Sequence, residues 1–193
     1  MKTLFVAVLI VLFASALSYA QGRTKVSRIE QVDFANFTFP VEEDCAGLKR
    51  KTVSLRRGEF KDKEVRVQLR SKILYADLTG DKINQAIVPL ICNTTYGNFF
   101  MTEIFLYTLR NGEPFLLAKL PESIIDRDYK RFYPEGFAFE IRRVQATNGQ
   151  LIIHRGVDGS HACHANDARF EYTWNGRSFV LAGKPVKRPL RNC

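Results

Sequence analysis

Ser160-His161-Ala162-Cys163-His164-Ala165-Asn166 is the stretch of this chain that sets a nucleophile type between imidazoles. A histidine beside a thiol favours the thiolate, which is the attacking species in cysteine chemistry. The catalytic candidates on this reading are Cys163, His161 and Ser160. His161, Cys163, His164 and Asp167 are also zinc-ligand types, but the usual spacing of a tetrahedral structural site is not present, so no metal and no cofactor is expected. A second constellation is the turn Asp77-Leu78-Thr79-Gly80-Asp81-Lys82. Alternating oxygen ligands there would suit calcium, which needs several negative charges to shed its water. Lys82 puts a cation beside the site and Gln85 stands where a last carboxylate would be needed. Asp77, Gly80 and Asp81 are therefore expected to shape a tight turn, with the Asp side chain accepting backbone N–H bonds.

The cysteine count competes with the nucleophile reading. Cys45, Cys92, Cys163 and Cys193 are four, and in an oxidising compartment an even set is most simply two disulfides, with three possible connectivities. The reading adopted is Cys45 with Cys163 and Cys92 with Cys193, which would pin the C-terminus. A nucleophile must be a free thiol and a staple cannot be one. The expectation is a non-enzymatic protein, with a cysteine enzyme using Cys163 as the other reading.

An oxidising compartment is implied by the start of the chain. Lys2 is followed by an almost wholly apolar run from Leu4 to Leu17, and Ser18-Tyr19-Ala20 supplies small residues of the kind a signal peptidase reads. Residues 1–20 are expected to be a signal peptide, cleaved to leave Gln21, and the protein to be secreted or periplasmic. The run is short of a membrane span, and no later stretch is long and apolar enough to be one. Cleavage leaves 173 of 193 residues, enough for one substantial domain, expected over 21–183 with a basic tail at 184–193. The leader holds one of the 29 Lys+Arg and none of the 20 Asp+Glu, so the mature chain keeps a surplus of 8 positive charges. That surplus favours acidic partners. A phosphate loop, a dinucleotide fingerprint, a nucleophile elbow and a His-Glu-x-x-His pair are all missing from the sequence.

The elements that must position these residues read as strands. Val53 and Leu55 alternate with polar neighbours, as do Val65, Val67 and Leu69, and period-two alternation marks half-buried strands. These two are expected to pair as a hairpin through Arg57 to Asp62. Ile73–Ala76 and Ala86–Ile91 flank the Asp77 turn as a second hairpin. Phe99–Leu109 and Phe115–Leu120 flank Asn111-Gly112, a strong hairpin signal. Residues between Pro121 and Pro134 are the place for at most one short helix. Strands then resume at Phe137–Ile141, Leu151–Ile153, Phe170–Trp174 and Phe179–Leu181, with Gly156–Asn166 as a loop. The fold class is mainly β, an antiparallel meander forming a small sandwich or partial barrel.

If Val53, Leu55, Val65, Val67 and Leu69 face a core, pleating sends Arg56, Arg66 and Arg70 to the opposite, wet face of one hairpin. These three are the anion-binding candidates, for an anionic envelope polymer or an acidic protein. Nucleic acid is not expected, because export removes it and no aromatic platform alternates with these cations.

Three resemblances accompany these readings. Ser160-His161-Ala162-Cys163 is similar to the Ser-His-Gly-Cys loop of L,D-transpeptidases, exported peptidoglycan-modifying enzymes with a cysteine nucleophile, with Ala162 in place of the Gly and Ala165 in place of a following Arg. Asp77-Leu78-Thr79-Gly80-Asp81 resembles the calcium loop of integrin-type propeller repeats, although the motif occurs once and a propeller repeats its blades. The same turn, with Gln85-Ala86-Ile87-Val88, Cys92 and Trp174-Asn175-Gly176-Arg177-Ser178-Phe179, resembles more closely a group of small exported bacterial proteins, including mycobacterial lipoproteins, of unassigned function. That resemblance implies export and a fold rather than an activity.

Overall fold

The computed structural model describes residues 25–41, 51–94, 100–160 and 163–190. The expected leader, Cys45, His161 and Cys193 lie outside the described residues. In chain order the strands are β1 (Thr38–Pro40), β2 (Thr52–Ser54), β3 (Glu59–Lys61), β4 (Val65–Leu69), β5 (Leu74–Ala76), β6 (Gln85–Thr94), β7 (Phe100–Arg110) and β8 (Glu113–Pro121). The helix α1 (Glu122–Lys130) follows, then β9 (Ala138–Thr147), β10 (Gln150–Ser160), β11 (Cys163–Trp174), β12 (Phe179–Leu181) and β13 (Val186–Pro189).

All pairings among these strands are antiparallel. One sheet runs β3-β4-β6-β7-β8 with β5 also on β6, a second runs β12-β11-β10-β9 with β13 also on β11, and β1 and β2 form a small third. The first sheet is the middle layer, because its strands bury both faces. Val88 and Leu90 of β6 and Phe105 of β7 point into a core shared with Phe34, Phe39 and Val53. The intervening Ile87, Ile104 and Leu106 point into the other core, built with α1 and the second sheet. Strict alternation on a strand whose odd and even positions are both apolar thus feeds two cores at once. The architecture is a β-sandwich, and no closed barrel forms among the described residues.

Local chemistry accounts for the joins. Asn111 and Gly112 both take positive φ, at 56° and 78°, as a two-residue turn matched to strand twist requires. Pro121 is the N-cap of α1, and its extended backbone hands β8 directly to the helix. Glu122, Ile125 and Tyr129 are the buried face of α1, three and four residues apart as a helical stripe demands.

Three expectations need correction. The hairpin through residues 57–62 does not form: β2 pairs with β1, and the partner of β4 is the short β3, joined by a turn at Asp62 whose carboxylate accepts from the Glu64 and Val65 amides at 2.8 Å each. The region Gly156–Asn166 is largely strand, the distal part of the long β10-β11 hairpin. Within the basic tail expected at 184–193 a strand forms, since β13 adds to β11 with Asp167 opposite Arg188. In the first case alternation identified the inward residues but not the strand lying alongside, and in the other two the pairing with β11 is set by residues far away in the chain.

Candidate functional site

Outward positions of the second sheet build a cleft of about 500 Å3, lined by Arg142 and Arg143 of β9, His154 of β10, Asp167 of β11, and Arg188, Pro189 and Leu190 at β13. Its most specific feature is that two consecutive residues of one strand, Arg142 and Arg143, both line it. Regular pleating would send one of them into the core. A β-bulge prevents this: Arg143 sits opposite His154 and Ile141 opposite Arg155, so Arg142 is the extra residue. Ile141 and Val144 consequently both pack into the inner core although they are three apart. Bulges re-aim side chains in this way and are frequent beside binding sites.

Neighbouring strands supply the rest by ordinary alternation. On β10, Ile153 and Arg155 are buried and His154 lies between them. On β11, Ala168 is buried and Asp167 faces the cleft. On β13, Lys187 turns under the sheet, its Nζ 3.0 Å from Asp158 Oδ2 and 4.2 Å from the Tyr133 ring centre, so Arg188 turns outward. Burial works against the charged form of Asp158, but hydrogen bonds from Lys187 and Tyr129 outweigh it and hold the carboxyl below its usual range. The third arginine of the cleft is therefore anchored through its neighbour.

Within the cleft, His154 Nδ1 lies 2.8 Å from Asp167 Oδ2, and Arg142 Nη1 lies 3.8 Å from Asp167 Oδ1. The imidazole is only 13% exposed. A carboxylate on Nδ1 fixes the proton there and leaves Nε2 as an acceptor while the ring is neutral. Three guanidiniums around one carboxylate can hold an anion with more than one charge, and guanidinium forks suit phosphate or carboxylate oxygens.

Beneath the sheet lies a second charged group, which is architectural. Arg155, 2% exposed, donates from Nη2 to Glu122 Oε1 at 2.6 Å, from Nη1 to Asp126 Oδ1 at 2.5 Å, and from Nε to the Phe139 carbonyl. Glu122 Oε2 accepts from the Thr102 amide at 2.7 Å. Burial raises the Glu122 carboxyl above its usual range, and the opposing pull of Arg155 and Thr102 only partly offsets it. Asp126 is raised for the same first reason. With Tyr172 donating to Asp128 at 3.0 Å, this network clamps α1 onto the second sheet.

The sequence-derived candidates fall elsewhere. Cys92 and Cys163 are both disulfide-bonded, and no described cysteine is free. Ser160 is exposed at the hairpin end opposite Cys163. His164 is a packing residue: it stacks on Phe139 with 4.7 Å between ring centres, its Nε2 is 3.4 Å from Glu140 Oε2, and a Cβ on Gly156 would come within 2.2 Å of its ring. Only glycine at 156 lets the imidazole lie against the backbone. No cluster of metal-ligating residues occurs among the described residues. Asp77 does shape its turn, its two oxygens accepting from the Gly80 and Lys82 amides at 2.7 and 2.9 Å, while Asp81 accepts from Ile83 at 2.9 Å. Gln85, fully buried, accepts from the Leu78 amide at 2.7 Å and donates to the Ile83 carbonyl at 2.6 Å, filling the turn from inside.

Arg56, Arg66 and Arg70 do not form one face. Arg56 is exposed, Arg66 is 2.5 Å from Glu59, and Arg70 is half-buried with Nη1 donating to Thr102 Oγ1 at 2.9 Å. Burial, partly countered by Glu122 and Glu140, holds the Arg70 guanidinium below its usual range. On the face opposite Val67, Arg66 reaches solvent, whereas Arg70 just beyond β4 is drawn in against Thr102. Sequence reasoning passed over His154, Asp167 and the arginines of the cleft as a group, although the spacing Ile141-Arg142-Arg143-Val144 carried the signal of a bulge. Among family models, curated proteins and solved structures, none matches this chain.

Proposed function

We propose that this is an exported, non-enzymatic interaction protein that binds an acidic partner through the arginine cleft of its second sheet. The observation that carries the reading is the bulge that turns Arg142 and Arg143 together toward Arg188, around the His154–Asp167 pair. Export is supported by the apolar leader with its Ser18-Tyr19-Ala20 triplet and by the resemblance of the Asp77 turn to small exported bacterial proteins. A peptidoglycan-modifying role for Cys163 lacks support, since a disulfide sulfur has no thiolate to offer. No helix among the described residues is long and apolar enough to cross a membrane.

Retention of the mature protein on a phosphate-rich polymer at low salt tests the proposal. Arg143→Gln/Arg188→Gln is expected to abolish retention and Arg56→Ser/Arg66→Ser to leave most of it, with wild-type retention falling steeply as salt is added. Equal retention of wild type and the cleft double variant would refute the assignment.

A further inference from the structure

Resting on the anion-binding reading of the cleft, we infer that its ligand is a phosphomonoester with a hydroxyl close by, taken end-on, rather than a run of phosphodiesters. Charge is the first argument. Arg142, Arg143 and Arg188 against Asp167 leave the lining two positive charges in surplus with His154 neutral. A phosphomonoester approaches two negative charges at neutral pH, whereas a diester or a simple carboxylate carries one.

Placement is the second argument. The strand order β9-β10-β11-β13 sets two arginines on one side and one on the other, three strand spacings apart, or about 14 Å. Cations closing from both sides of a pocket surround a terminal group; a polymer backbone is served better by a row along its path. Acceptors lie between the arginines. Asp167 and the Nε2 of neutral His154 are acceptors, which would repel the oxygens of a bare polyanion but bond a hydroxyl. A volume of about 500 Å3 holds a phosphate together with a small hydroxylated group.

Calorimetric titration of the mature protein at low salt with glycerol 3-phosphate, ethyl phosphate, dimethyl phosphate and acetate tests the inference. Glycerol 3-phosphate is expected to bind best, ethyl phosphate next, and the two monoanions at least ten-fold more weakly, a factor that one charged hydrogen bond supplies. Arg143→Gln and Arg188→Gln should each weaken glycerol 3-phosphate about ten-fold or more, on the same basis. His154→Phe should remove the advantage over ethyl phosphate and leave ethyl phosphate binding intact, with unchanged thermal melting as the control for folding. Dimethyl phosphate binding as well as glycerol 3-phosphate, or polymer retention without monoester binding, would overturn this inference and leave the anion cleft standing. Absence of both monoester binding and polymer retention would overturn the two together.

Discussion

Replacing Arg155 by Met keeps most of the side chain's volume and removes its charge from the centre of the clamp on α1. Glu122, only 6% exposed, then keeps the Thr102 amide and the weaker pull of Arg70 but loses its hydrogen-bonded counter-ion. Leaving one member of a buried pair alone costs about 3–5 kcal/mol. For a chain of this size that is a fall in melting temperature of roughly 6–20 °C, at 2–4 °C per kcal/mol. Asp126, with a side chain 41% exposed, can turn to water and adds little. The sign of the pH dependence follows from Glu122. Its folded-state value already lies above the unfolded one, so the stability linked to its proton is fully present below the ordinary glutamate range and is lost as pH rises through the folded value. Removing Arg155 pushes the folded value higher, so the deficit of the variant should be largest at neutral pH and shrink on acidification. Arg155→Met/Glu122→Gln should recover more than half of the loss at neutral pH, because it removes the stranded charge. Thermal and urea denaturation of the oxidised protein at two pH values measures all of this. A deficit below about 1 kcal/mol, or one that is the same at acid and neutral pH, would refute the argument that Arg155 compensates a buried carboxylate.

Two further outcomes are expected. Asp77→Ala should cost about 1–2 kcal/mol through the lost acceptors for Gly80 and Lys82, while added calcium leaves the melting temperature of wild type and of Asp81→Asn unchanged; a calcium-dependent rise that Asp81→Asn abolishes would overturn the structural account of the turn. The native protein should show no titratable thiol, since Cys92 and Cys163 are disulfide-bonded. Labelling of Cys163 by a thiol reagent without reductant would refute that expectation.

Much of the architecture was legible because period-two alternation and turn residues are local signals. Asn111-Gly112, the alternation of Phe170, Tyr172 and Trp174, and the helix window closed by Pro121 and Pro134 all have their causes within a few residues. Pairing partners are set at long range, and alternation constrains only which way a side chain points. That is why Val53 pointed inward as expected, yet on a strand paired with Phe39 instead of one in the Val65 hairpin. It is also why Arg70, opposite in phase to Val67 and Leu69, met Thr102 and the field of Glu122 where a one-sided sheet would have offered it water.

The cleft was harder to see for a related reason, and the basic tail shows it most directly. Counted by composition, Lys184, Lys187, Arg188 and Arg191 with Pro185 and Pro189 read as a basic extension with little to bury. Register changes the meaning of each position: one residue of β13 reaches Asp158 and Tyr133 below the sheet, and the next is thereby committed to the cleft above. The bulge does the same on β9, where a single inserted residue converts an inward position into a second outward arginine. Four strands contribute to the cleft, so its charge is assembled from residues between 142 and 188, none of which is part of a contiguous basic run longer than two. A net positive charge thus becomes a binding surface only where pairing and register bring separated cations to the same face of the sheet.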